Sequence, residues 1–167
     1  MKVLGIDPGY EKLGIAIVEK GLKKELLLYS HCIKTKRGDD FEKRLLFLGE
    51  ELENVIKIWR PDCVALETLY MHTNQKTGMG VAESRGVCTY IAAKHKLPIY
   101  SYTPIQIKET VAGYGRADKK QVSEMVLKTI DLPLKKREDD EFDAIAVALT
   151  SIYRDLSNLS TQLKRRY

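Results

Sequence analysis

Asp7, Glu67, Asp140 and Asp143 are the residues of this chain whose types and positions suit chemistry. Asp7 ends the apolar run Val3-Leu4-Gly5-Ile6, and Glu67 ends the run Cys63-Val64-Ala65-Leu66. Asp140 and Asp143 stand at i and i+3 where a helical pattern begins, so their side chains can share one helix face. Each has an ordinary account. Asp-Pro-Gly is turn chemistry, in which Asp caps the turn and Pro pre-sets φ. Acidic residues suit a helix N-terminus because its unpaired N–H groups and dipole favour negative charge. Together, however, four carboxylates cannot crowd cheaply unless cations neutralise them. A set of oxygen ligands without His or Cys suits Mg²⁺ or Mn²⁺. Two such ions about 3.5–4 Å apart would serve phosphodiester hydrolysis, one preparing a water nucleophile and the other stabilising the leaving oxygen.

The elements that must hold these residues are legible from pattern. Val3 to Val18 reads as a β-hairpin with Pro and Gly at its turn, and Lys24 to Lys36 as a third strand continuing an antiparallel meander. Phe41, Leu45, Leu48, Leu52, Val55 and Trp59 recur at helical steps behind Asp40, which predicts an amphipathic helix with Asp40 as its cap. Cys63 to Leu66 is continuously apolar, as in a central strand covered on both faces. Met71 to Gly80, polar and carrying Gly78 and Gly80, predicts a mobile loop, and a helix follows from Val81 to about His95. Leu97 to Tyr100 predicts a short strand, Thr103-Pro104 the cap and first position of a helix to about Val111, and Asp118 the cap of another after the Gly113–Ala117 loop. The run from Phe142 to Leu156 predicts a last amphipathic helix. Hairpin strands followed by alternating helix and strand imply a mixed sheet with helices packed on it, where sites gather at the C-terminal ends of strands.

At 167 residues the chain suits one domain, expected over residues 1–156, with 157–167 a basic, flexible tail. Lys and Arg number 28 against 23 Asp and Glu, a net charge of +5 that makes a polyanionic partner plausible without identifying it. Cys32, Cys63 and Cys88 form no CxxC pair and read as reduced core thiols. His31, His72 and His95 are scattered, and only His72 lies near a carboxylate of interest. No apolar run is long enough to cross a bilayer and no signal-peptide pattern opens the chain, so the expected location is cytoplasmic with no membrane partner.

An ordered set of fragments then spans nearly the whole chain: GIDPG at 5–9, Glu67 with Tyr70 and Asn74, Gly80, Arg85-Gly86 and Lys108. Gly113, Gly115, Ala117, Lys119 and Gln121-Val122 follow, then Asp140-x-x-Asp143-Ala144-Ile145-Ala146-Val147-Ala148. Each fragment alone is weak, but in this order the sequence resembles the RuvC-type Holliday-junction resolvases. The resemblance implies an α/β, RNase H-like fold, here expected as a mixed five-stranded sheet with helices on both faces. It implies a Mg²⁺-dependent endonuclease, with two ions per site and Mn²⁺ able to substitute, acting on four-way junction DNA as a homodimer that nicks two strands symmetrically. A branch-migration motor complex is a further implied partner.

The resemblance carries the catalytic and metal-binding set onto Asp7, Glu67, Asp140 and Asp143, with Asp139 as the alternative third ligand in the run Glu138-Asp139-Asp140-Glu141. It puts Lys108 and Lys119 on the DNA-facing side. Tyr70 stands where the family usually has Phe, keeping a stacking face and adding a hydroxyl. Arg116 joins them as a phosphate contact. By charge alone, Lys34 to Arg37 and Lys135 to Arg137 rank equally as phosphate contacts. Three other readings remain: a related RNase H-like nuclease for another branched or structured nucleic acid, a non-catalytic junction-binding protein, and an actin-like ATP-binding domain, whose phosphate-binding segments are missing here.

Overall fold

The structure of the protein, a computed structural model, describes residues 1–69, 75–132 and 136–155. β1 (Lys2–Asp7) and β2 (Lys12–Glu19) form the expected hairpin, with Asp7 opposite Gly14, and β3 (Glu25–Lys34) extends it antiparallel. On the other side of β1, β4 (Cys63–Glu67) and then β5 (Ile99–Tyr102) add in parallel. Helices α1 (Phe41–Trp59), α2 (Gln75–Lys94), α3 (Pro104–Ala112), α4 (Lys119–Thr129) and α5 (Asp139–Arg154) connect and cover the strands. A two-residue β6 (Ile130–Asp131) pairs parallel with β3 and completes the order β5-β4-β1-β2-β3-β6. The sheet thus has six strands rather than the expected five. Ile130 is buried where α4 runs out into extended backbone, a placement too short to leave a strand pattern in the sequence.

Side chains alternate across the sheet as pleating requires, and each face carries its own core. Val3, Ala16, Val18 and Ala65 pack with Ile107 and Val111 of α3, Val122 and Val126 of α4, and the run Ala144–Leu149 of α5. Leu4, Ile6, Ile15, Ile17, Val64 and Leu66 pack on the opposite face with Leu48, Leu52 and Val55 of α1 and Cys88 and Ile91 of α2. Helices therefore lie on both faces. All three cysteines are buried and none is in a disulfide. Among the described residues no helix is long and apolar enough to cross a membrane.

α5 crosses β1 and β2 at unusually close range because the residues facing it are small. A Cβ at Gly5 would sit 2.1 Å from the Ala144 carbonyl oxygen, and one at Gly14 would sit 2.1 Å from that of Asp140. The two missing side chains let the first turns of the helix rest on the strands.

Two expectations are corrected. Residues 75–80 belong to α2 and are not a mobile loop, while 70–74 lie outside the described residues. Gly80 serves packing here: a Cβ on it would be 2.9 Å from Cδ1 of Tyr10. Asp40 occupies the N-cap of α1, but its side chain makes no cap bond and accepts instead from Lys43 Nζ at 2.6 Å. Thr103 and Asp118 do cap α3 and α4, each within a reciprocal capping box.

The close approach of α5 predicts that Gly5→Ala and Gly14→Ala each cost about 1–3 kcal/mol, the usual range for overpacking. Gly38→Ala, with nothing within 4 Å of its Cβ, should cost almost nothing. Urea denaturation of the three variants measures this directly.

Candidate active site

The parallel pairing of Ile6 with Leu66 brings the ends of β1 and β4 side by side, so Asp7 and Glu67 become neighbouring strand tips. Asp143 reaches the same place from α5, since the next residue, Ala144, is the one seated on Gly5. These three carboxylates border a cleft of about 320 Å³ whose other walls include Lys108, Lys119, Ile107 and Val122. Lys119 Nζ lies 3.0 Å from Asp143 Oδ2. Asp140 stands to one side of the cleft but near enough for its charge to act on Asp7. Its own Oδ2 is 3.5 Å from Lys12 Nζ.

The strand tips are held by residues from elsewhere in the chain. Arg44 of α1 donates to Thr35 Oγ1 at 2.8 Å and to the Tyr10 carbonyl at 3.1 Å, and its guanidinium carbon sits 4.9 Å from the Tyr10 ring centroid. Thr35 Oγ1 donates to the same carbonyl at 2.7 Å, and Ser84 Oγ of α2 donates to the Gly9 carbonyl at 3.1 Å. The turn after Asp7 is thereby tied to α1, to α2 and to Thr35, the residue that follows β3. Arg85 does the same for β4, donating to the Glu67 carbonyl at 3.1 Å and to Ser101 Oγ at 3.0 Å. At the start of α5, buried Glu141 accepts from Ser30 Oγ at 2.5 Å, and Arg137 donates to Ser30 Oγ at 3.1 Å.

Electrostatics mark this cluster as short of positive charge. Burial, then the charges of Glu67, Asp143 and Asp140, push the Asp7 carboxyl far above the ordinary carboxylate range, with Lys119 opposing. Burial and Asp143 raise Glu67 likewise, while a hydrogen bond with Asp7, Lys119 and Lys108 pull it back. Among the described residues, the ligand atoms that all lie within 4.8 Å of one another belong to a different group, Cys32 with Glu138 and Asp140. It is a poorer cation site. Burial and the neighbouring Asp140 and Glu138 push the Cys32 thiol up to about 11, keeping it protonated. Lys12 and Lys34 already occupy Glu138.

Of the remaining residues singled out from sequence, Lys108 lines the cleft, half-buried, whereas Arg116 is exposed on the loop before α4 and is not among the cleft's lining residues. Tyr70, His72 and Asn74 lie outside the described residues, as does the tail from 156. His95 is satisfied by Glu53, 2.9 Å away. Sequence reasoning gave no role to Lys12 or Arg44, and it noted Arg85 only as part of a fragment. Their contacts join residues far apart in the chain, so no local pattern announces them.

A six-stranded mixed sheet between two helical layers, with carboxylates on two adjacent strand tips and a third on the crossing helix, defines an RNase H-like α/β domain with an acidic site. The chain belongs to the RuvC family: the profile described as "Crossover junction endodeoxyribonuclease RuvC" matches residues 3–151. Relatives of that name from Ruminiclostridium cellulolyticum and Caldanaerobacter subterraneus subsp. tengcongensis are 42% and 43% identical, each over 89% of this chain and 90% of the relative. The structure of T. thermophilus RuvC in complex with Holliday junction substrate superposes with a TM-score of 0.87 at 31% identity, covering 96% of this chain and 97% of that one.

The raised carboxyls set a pH dependence. Because folded Asp7 and Glu67 hold protons that the unfolded chain releases near the ordinary carboxylate value of about 4, their stabilising contribution is complete below that value and is lost as pH rises through neutrality. The metal-free Tm of Asp7→Asn should therefore exceed that of the wild type by an amount that widens from acid to neutral pH. A shift of about 2–4 °C would correspond to ~1 kcal/mol in a domain of this size. Thermal melts in chelator at three pH values test the sign.

Proposed function

We propose that the protein resolves four-way DNA junctions in recombination and repair, as a divalent-metal-dependent endonuclease that nicks two strands symmetrically. The observation that carries this is the convergence of Asp7, Glu67 and Asp143 on one lysine-flanked cleft, with Asp140 beside it, in a chain of the RuvC family. The T. thermophilus relative, solved with a Holliday junction, supports the choice of substrate.

Asp7, Glu67, Asp140 and Asp143 hold Mg²⁺, two ions per site, with Mn²⁺ as a working substitute. The donor set fits hard cations: it is all oxygen, and burial with neighbouring acids raises the Asp7 and Glu67 carboxyls, a strain that positive charge would relieve. When bound, such ions supply an activated water and a contact to the leaving oxygen. The chain itself supplies shape and fixed charge. The hydrogen bond to Asp143 raises the pKa of Lys119, and its largely exposed side chain can share its charge between Asp143 and a phosphate. Lys108 offers a second cation at the cleft, Arg116 a more distant one, and Tyr70 a ring to stack on an unpaired base at the crossover.

One acidic cluster serves one phosphodiester at a time, so two nicks require two chains about a two-fold axis, a C₂ homodimer. Tyr90, exposed on α2, is a candidate contact, whereas Ile91 beside it is spent in the core. A branch-migration motor is the partner proposed to supply junctions, and the cytoplasm the proposed site of action.

The test is cleavage of a mobile four-way junction against duplex, flap and RNA/DNA hybrid, with and without Mg²⁺. Junction-selective, metal-dependent paired nicks are expected. Preference for flap or hybrid would instead indicate another RNase H-like nuclease, and tight binding without cutting a non-catalytic junction-binding protein. Asp7→Asn should bind the junction and lose more than tenfold in rate, which is ~1.4 kcal/mol of barrier. Lys119→Met should lower the cleavage rate more than the affinity; a loss of affinity alone would reduce Lys119 to an ordinary phosphate contact.

A further inference from the structure

Lys12 of β2 and Lys34 of β3 are direct cross-strand partners, an arrangement that is unfavourable for like charges unless something lies between them. Glu138, the N-cap of α5, does so: Lys34 Nζ pairs with its Oε1, and Lys12 Nζ lies 3.1 Å from its Oε2. Lys12 makes a second, longer contact of 3.5 Å with Asp140 Oδ2. One flank of the acidic site thus carries a resident cation with two carboxylates to choose between. The backbone of Asp140 is fixed, because its carbonyl rests on Gly14. The lysine is not, since its side chain is 49% exposed. Whatever changes at this corner must change through the two side chains.

We propose that Lys12 is a positioning residue that competes with the incoming divalent cation for Asp140. Without metal it bridges Glu138 and Asp140, and when metal arrives it releases Asp140 and stays on Glu138 beside Lys34. The shorter contact to Glu138 gives the ammonium a partner to retain, so it is not left unpaired. Lys34, bound to Glu138 alone, shares the charge of Lys12 but not the contact, and is its natural control. This inference rests on the metal-centre reading above.

Calorimetric titration of Mn²⁺ into the metal-free protein, without DNA, tests it. Lys12→Met should bind about two- to fivefold more tightly than wild type, the range an exposed ion pair commands. Lys12→Arg should restore wild-type affinity, and Lys34→Met should leave it unchanged. Thermal melts confirm that each variant is folded, and Lys12→Gln gives the same sign should Lys12→Met fail to fold. Affinity that is unchanged or weakened in the Lys12 variants overturns the competition. Equal tightening in Lys34→Met overturns it too, since a general positive field would then account for both. Wild type that takes up no Mn²⁺ overturns the metal-centre reading itself and this inference with it.

Discussion

The fold depends on how closely α5 lies against β1 and β2. Two absent side chains, at Gly5 and Gly14, leave room for the carbonyl oxygens of Ala144 and Asp140 to rest where a Cβ would be. Small residues at 144, 146 and 148 continue the fit, and the helix is fully buried from Ala144 to Ile152. A larger residue at either glycine would lift the helix, and with it Asp140 and Asp143, away from the tips that carry Asp7 and Glu67. Packing density and site geometry are here one constraint, since interiors as tight as organic crystals transmit even small volume changes.

The fold offsets the repulsion among four carboxylates from several directions. The acidic first turn of α5 sits where a helix dipole favours negative charge. Lys119 is held on Asp143, and Lys12 lies between Glu138 and Asp140. The backbone behind each acid is tied down, by Arg44, Thr35 and Ser84 at the turn after Asp7 and by Arg85 behind Glu67. What remains uncompensated raises the Asp7 and Glu67 carboxyls above their ordinary range.

Charge is distributed to match a polyanionic substrate. The net positive charge of the chain is expressed at the cleft by Lys108 and Lys119 and beyond it by exposed Arg116, Lys36 and Arg37, while the acids are gathered inward. In the function proposed, outer cations would attract phosphate and inner acids a divalent cation, so opposite charges would draw DNA and metal to the same place.

Asp7 and Glu67 were legible in the sequence as charges ending apolar runs, because a strand's pattern is local and its end is marked by the first residue that breaks it. The caps Thr103 and Asp118 and the inward stripe of α1 were legible for the same reason. The order of fragments pointed to the family, and the profile and relatives show it. What was decided only in three dimensions came from distant contacts. Gly80 signals flexibility in isolation, yet it packs against Tyr10 inside a helix. Ile130 and Asp131 become a strand only because β3 offers an edge. The run from Glu138 to Glu141 does not reveal in sequence that the carbonyl of Asp140 rests on Gly14 or that the charge of Asp140 acts on Asp7; the seating of α5 on β1 and β2 decides both. Lys12, Arg44 and Arg85 carried no signal of their own, since a lysine or arginine declares its partner only when the chain has folded it onto a residue many positions away.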